Sequence, residues 1–246
     1  MVCVRMVSYI VQQNNALFSA NPPEKEVPML LQTEREQIVV FGRKLIESRL
    51  TTGTGGNLSI FDREKGLYAI KPSGVEYKDI TAIDVVVMDL DGNIVDGRSK
   101  PSSEHNMHRI LYQNRTDINA VIHTHSVYST TLACLGRELP AAHYLVGFGG
   151  GNKIPLAPYA TFGSQELAQF ACEAMDGYYG VLLANHGLLT AGGTIGYAFS
   201  AAEEIELCAE IYWRALAVGE PNILTEEQMD DVLAKFSTYG QPTKTS

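Results

Sequence analysis

Two hairpin signals set among helical periodicities constrain the fold most. Leu58 to Phe61 and Leu67 to Ile70 flank Asp-Arg-Glu-Lys-Gly, and Val85 to Leu90 and Ile94 to Val95 flank Asp-Gly-Asn. Short apolar runs separated by such turns pair antiparallel. A helix precedes them from Thr33, with Ile38, Phe41, Leu45 and Ile46 on one face. Another follows from near Ser103, carrying Met107, Ile110 and Leu111, then a strand over Asn119 to Ser126 and a helix over Val127 to Leu135. Phe148 to Gly163 reads as loop with short extended pieces, and Ser164 caps the next helix. Gly180 to Gly192 reads as two short strands meeting at His186, and Ile195 to Val218 as a long helix with Ile205, Cys208, Tyr212 and Ala215 on its apolar face. Thr225 and Gln228 form a capping box for the last helix, whose buried side is Met229, Val232 and Phe236. Hairpins bracketed by helices predict a single three-layer α/β/α domain over residues 29–246, around a mostly antiparallel or mixed central sheet. A Rossmann βαβ ladder does not match this order.

The formal net charge of -9 argues against a nucleic-acid partner, and means that an anionic ligand needs local donors such as backbone N–H groups or a helix N-terminus. The four cysteines, Cys3, Cys134, Cys172 and Cys208, form no Cys-x-x-Cys pair and are expected as reduced thiols in a cytoplasmic protein. No apolar run approaches the ~20 residues of a membrane-spanning helix. Residues 1–28 carry one early basic residue and a broken apolar patch, and Phe18 is too large for the outer position of a cleavage site at Ala20. They are expected to be a poorly ordered extension or the product of a mis-set start, with Met29 as the start.

The segment from Ser102 to Ser126 holds four of the six histidines. On a strand, His123 and His125 share a face at i and i+2, and His186 is a third donor from another strand end; three ligands with open positions describe a catalytic zinc site. The same spacing suits two buried, hydrogen-bonded histidines and a turn histidine, so it leaves both readings open. Glu104 in a first helical turn suits the helix dipole, and would equally serve as a general base beside a metal-bound substrate. His105 and His108 are rival ligands at i and i+3, and are expected to pack or face solvent. Three small turns, Gly53 to Asn57, Pro72 to Gly74 and Pro101 to Ser103, are rich in potential donors to a phosphate if they converge in space, and are plain turns otherwise. Lys71 is a remote candidate for a Schiff-base nucleophile, made redundant by a metal site.

Taken in order, "GTGGNLS", "IKPSG", "KPSSEHNMH", "AVIHTHS" and "LLANHGLL" resemble the class II aldolase/adducin family over roughly Thr33 to Gln241. The segment from Leu139 to Leu167 and the ending "KFSTYG" are most similar to the branch that cleaves L-fuculose 1-phosphate. The resemblance implies zinc, one per subunit, held by His123, His125 and His186, with Glu104 a further ligand in the free enzyme and the acid/base in turnover. It implies phosphate binding by Thr54, Gly56, Asn57, Ser73, Gly74, Ser102 and Ser103. Tyr144 matches a tyrosine that reaches a neighbouring subunit's site and donates a proton to the aldehyde oxygen, and Tyr239 matches a mobile C-terminal tyrosine. A homotetramer with sites between subunits follows, as does retro-aldol cleavage to dihydroxyacetone phosphate and L-lactaldehyde. Two positions depart from the pattern: Asn185 stands where relatives often carry histidine or glutamine, and Phe148 is bulkier than its counterpart. Both bear on the sugar more than on the reaction. The alternatives are L-ribulose-5-phosphate 4-epimerase, which has aspartate in place of Glu104 in the comparable members, another sugar-phosphate aldolase, and a non-enzymatic adducin-like interaction domain.

Overall fold

A computed structural model describes residues 29–236. The expectations for residues 1–28 and for Tyr239 fall outside the described residues. Helix α1 (Gln32–Glu47) leads into strands β1 (Asn57–Asp62), β2 (Leu67–Ile70), β3 (Val86–Asp89) and β4 (Ile94–Asp96). Then come α2 (His105–Asn114), β5 (Ala120–Thr124), α3 (Val127–Cys134) and β6 (Leu139–Pro140). A 3-10 helix (Tyr144–Gly149) precedes β7 (Lys153–Ile154), β8 (Leu156–Ala157), α4 (Gln165–Ala174), β9 (Gly180–Leu183) and β10 (Gly187–Gly192). Two helices follow, α5 (Ile195–Leu216) and α6 (Glu226–Phe236).

The main sheet runs β4-β3-β2-β1-β5-β10-β9-β8, and β6 pairs with β7 apart from it. Its pairings are antiparallel except β8 with β9. Strand residues alternate between two cores. Leu58, Val87, Ile122 and Leu182 face a layer that contains α1, α3 and α5. Val86, Met88, Val121 and Leu183 face a layer that contains α2 and α4. A sheet covered on both faces reads as near-continuous apolar runs, which is why β3, β5 and β9 lack polar alternation. The α/β/α layering is therefore as expected. Ile46 differs from expectation: it is exposed, because the buried stripe of α1 runs through Ile38, Gly42 and Leu45. At 100° per residue Ile46 is carried off that stripe.

Local chemistry fixes the helix starts. Ser164 Oγ accepts from Leu167 N at 3.1 Å, and Thr225 and Gln228 exchange the two bonds of a capping box at 3.2 and 2.9 Å. Helix α3 lacks a cap from its own N-cap side chain. The Glu206 carboxylate of α5 accepts instead from the Tyr128 and Ser129 backbone N–H groups at 2.8 and 2.9 Å, anchoring the chain just after His125. Cys134, Cys172 and Cys208 are free thiols. No described helix is long and apolar enough to cross a membrane.

Candidate active site

Strand register assembles the histidines. His123 lies inside β5, paired with Asn57 of β1 and Leu189 of β10. His125 lies one residue past the strand's end. His186 sits in the turn from β9 to β10, which Asn185 closes with a left-handed φ of 55°. The potential ligand atoms of the three imidazoles lie within 4.8 Å of one another. His123 is buried, His186 partly buried and His125 exposed, so the cluster opens to one side. The Leu188 carbonyl lies 3.0 Å from His123 Nδ1 and accepts a hydrogen bond from its N–H, which leaves the Nε2 lone pair for the cluster. That Nε2 lies 2.9 Å from His125 Nε2. Two ring nitrogens so close need a proton or a cation between them.

Glu104 completes the group. Its Oε2 lies 3.5 Å from His123 Nε2 and its Oε1 lies 3.3 Å from His186 Nε2. Oε1 is buried and accepts no hydrogen bond. Three imidazole nitrogens and one unsatisfied carboxylate oxygen fit a borderline divalent cation, zinc among them. The electrostatics agree. Burial, reinforced by His186 and His125, holds His123 well below the usual histidine range, and burial lowers His125 and His186 as well. Imidazoles kept neutral at ordinary pH keep the lone pairs that bind metal. Burial pushes the Glu104 carboxyl up, against the electrostatic pull of His186 and the Asn57 hydrogen bond. This is the direction an acid/base group needs.

The three turns converge. Lys71, at the end of β2, is buried, and its Nζ donates to the Thr54 carbonyl at 3.1 Å and the Pro72 carbonyl at 3.3 Å, joining the first turn to the second. Pro72 bridges Pro101, Ser73 N donates to Lys100 O at 2.9 Å, and Ser102 N donates to Lys71 O at 3.0 Å, joining the second to the third. Gly56, at φ +68°, lies flat on β5, and a Cβ there would meet the His123 carbonyl oxygen at 2.5 Å. A side chain at position 56 would push the first turn off the histidine strand. Thr54, Ser73, Gly74 and Ser103 are exposed, while Asn57 and Ser102 are buried. The Glu104 backbone N–H donates to Ser102 Oγ at 3.3 Å, so the third turn runs directly into the carboxylate. Lys71 forms no ion pair here, and burial lowers its pKa to about 8.

Beside the cluster lies a cavity of about 290 Å³, lined by Glu104, His125, His186, Asn185, Ala160 and the aromatic rings of Tyr159 and Phe162. Those two rings are 62% and 67% exposed. The sequence reading placed both in an undifferentiated loop. Two large aromatics, five and two residues before the Ser164 cap, were the available signal. Tyr144 is not brought to the histidines. It is 47% exposed and lines a separate groove with Leu145, Phe148, Glu204, Val232 and Phe236. His105 is half-buried and outside the cluster of three histidines, and His108 is fully buried and packs. What spacing did not reveal is that His108 Nε2 lies 2.5 Å from Asn57 Oδ1, and that Asn57 Nδ2 donates to Glu104 Oε2 at 2.9 Å.

The chain is similar in sequence and fold to known proteins. The family model described as Class II Aldolase and Adducin N-terminal domain matches residues 36–213. The chain is 54% identical over 213 residues to 5-deoxy-D-ribulose 1-phosphate aldolase of Bacillus thuringiensis serovar kurstaki, covering 87% of this chain and 100% of that protein. It is 40% identical over 192 residues to L-fuculose phosphate aldolase of Escherichia coli strain K12, covering 78% and 88% respectively. A solved structure described as L-fuculose 1-phosphate aldolase superposes with a TM-score of 0.83 at 48% identity, over 85% of this chain and 98% of that one. The chain belongs to the class II aldolase and adducin family, and it is a class II aldolase.

Proposed function

We propose that the protein catalyses metal-dependent retro-aldol cleavage of a terminally deoxygenated ketose 1-phosphate. The first candidate is 5-deoxy-D-ribulose 1-phosphate, giving dihydroxyacetone phosphate and acetaldehyde. The second is L-fuculose 1-phosphate, giving dihydroxyacetone phosphate and L-lactaldehyde. The higher identity to the 5-deoxyribulose relative supports that order. The observation that carries the reaction is the place of Glu104, with its carboxylate against His123 and His186 and its backbone N–H on Ser102 of the third turn.

His123, His125 and His186, with Glu104 in the free enzyme, would hold the metal, zinc by the character of the donors. The ion supplies Lewis-acid stabilisation of the negative charge that bond cleavage leaves on the ketose half. Thr54, Gly56, Asn57, Ser73, Gly74, Ser102 and Ser103 bind the phosphate, and the buried Lys71 cation beneath them adds the charge that a chain of net charge -9 does not supply in bulk. Phosphate held there positions the C3–C4 bond at the chemistry end. As the bond breaks, Glu104 protonates C3 of the dihydroxyacetone phosphate half, and in the reverse direction removes that proton. The C4 hydroxyl loses its proton as the aldehyde forms, and Tyr144 of the partner subunit relays it, accepting it as its own phenolic proton passes to water; in the reverse direction it donates to the aldehyde oxygen. The exposure of Tyr144 and its place in a groove separate from its own cluster support that role in a homotetramer. Tyr159, Ala160 and Phe162 offer an apolar wall that suits a methyl-ended aldehyde. Free thiols at the three described cysteines support a cytoplasmic location.

The test is a coupled assay for dihydroxyacetone phosphate with 5-deoxy-D-ribulose 1-phosphate, L-fuculose 1-phosphate and L-ribulose 5-phosphate, each with EDTA and with zinc restored. Release from the first, abolished by EDTA and recovered with zinc, is expected. Interconversion of ribulose and xylulose phosphates without release would sink the reading. A preference for L-fuculose 1-phosphate would reverse the order of the two candidates.

A further inference from the structure

Beneath Glu104 lies a row of polar side chains in which each member leans on the next. Asn57 and Ser59 stand at i and i+2 on β1, and so project from the same face of the sheet. Glu104, His108 and Tyr112 stand at i, i+4 and i+8 along the start and body of α2, and so share one helix face. The two rows meet. Tyr112 Oη lies 2.5 Å from Ser59 Oγ, Ser59 Oγ lies 2.6 Å from His108 Nδ1, and His108 Nε2 lies 2.5 Å from Asn57 Oδ1. Asn57 Nδ2 then donates to Glu104 Oε2 at 2.9 Å. All five residues are buried.

We propose that His108 is a positioning residue: it locks the Asn57 amide in one orientation and through it fixes the Glu104 carboxylate. The inference rests on the reading of Glu104 as the acid/base. An ionised carboxylate is acceptor-only, so Asn57 must present its NH₂ to Glu104 and its carbonyl oxygen to His108. His108 Nε2 must then carry the proton. In the neutral ring Nδ1 is an acceptor, so the Ser59 hydroxyl donates to it and accepts in turn from Tyr112. The donors run one way, from Tyr112 to Ser59 to His108 to Asn57 to Glu104. Burial lowers the His108 pKa to about 3, which keeps the ring in the neutral form the relay requires. Reversal of any one group would set like atoms face to face without water to relieve them. Without His108, the Asn57 amide is free to turn its oxygen towards Glu104 and displace it.

Two measurements on the full-length holoenzyme test this. Long-range 1H–15N correlation of labelled histidine should report His108 as the Nε2–H tautomer, and an Nδ1–H tautomer would overturn the relay. In kinetics, H108M should lower kcat about 30-fold with zinc content unchanged, while H108Q, whose amide restores a donor at the Nε2 position, should return to within about threefold of the parent enzyme. On an N57A background, H108M should cost less than about twofold more, since His108 acts only through Asn57. Multiplying losses, or an unaltered kcat in H108M, would overturn the proposal. Should H108M not fold, S59A removes the hydroxyl that sets the tautomer, and should lower kcat about fivefold by the same coupling, again without further effect in N57A. If the parent enzyme proves inactive as an aldolase, the reading of Glu104 fails, while the tautomer measurement still judges the relay.

Discussion

The two ends of the site are built by opposite means. At the proposed chemistry end, His123 is set by the register of β5 against β1 and β10; it and Glu104 are buried, while His186 and His125 open to one side. At the proposed phosphate end, Thr54, Ser73 and Ser103 stand exposed on turns from three separate connections, held together by backbone bonds and one buried lysine. A sheet places ligands rigidly and pre-arranges a demanding coordination geometry. Exposed turns present many N–H and hydroxyl donors to a large oxyanion and leave its path to solvent open. Damage to the first end should therefore cost turnover, and damage to the second should cost affinity.

The largest effect is expected for His123→Ala. Metal content should fall with activity, and kcat/KM should drop at least about 1,000-fold, because a buried ligand has no substitute. Metal analysis after dialysis, paired with the coupled assay, checks it. Glu104→Gln comes next. It should lower kcat by about 100- to 1,000-fold while retaining metal, since three histidines remain. Metal loss equal to that of His123→Ala would show that the carboxylate is needed to build the centre rather than to move a proton.

At the other end, Lys71→Met should raise KM about tenfold with a smaller change in kcat, the pattern of lost uniform binding. Added salt should raise KM less in the variant than in the parent, because the charge being screened is gone. A kcat collapse instead would place Lys71 with the chemistry. Phe162→Ala should act on neither end. It should narrow the ratio of kcat/KM between methyl-ended and hydroxyl-ended aldehydes by about 10-fold, roughly the discrimination available from an apolar contact.

The last effect is on stability rather than turnover, and is set by pH. The His108 pKa falls from the ordinary 6.5 to about 3 on folding, chiefly by burial. Between those values the unfolded chain binds a proton that the folded chain refuses, so this group's contribution is intact above pH 6.5 and is lost as pH falls towards 3. Relative to His108→Gln, the parent protein should lose stability on acidification with a slope of up to about 1.4 kcal/mol per pH unit. Urea titrations at several pH values measure it, and parallel curves would show that His108 is protonated in the fold.

Much of this was legible in the chain. The hairpin turns at Asp62 to Gly66 and Asp91 to Asn93, the caps at Ser164 and Thr225, and the helix periodicities follow from local rules, and the strands and helices appear where those rules put them. The His-x-His pair was legible because a strand repeats every two residues. Its meaning was not, since spacing suited a packed pair as well as a ligand pair. Ile46 was misplaced because propensity says nothing of where a helix stripe is centred.

Local sequence thus determined the elements, the three layers and the identity of the groups able to do chemistry. Only the tertiary structure decided that His186, some sixty residues away, closes on His123, that three turns meet over Lys71, and that His108 serves Asn57 rather than solvent. Those are contacts between elements distant in the chain. Their geometry depends on which strands pair and how helices lie across them, and no window of neighbouring residues encodes that.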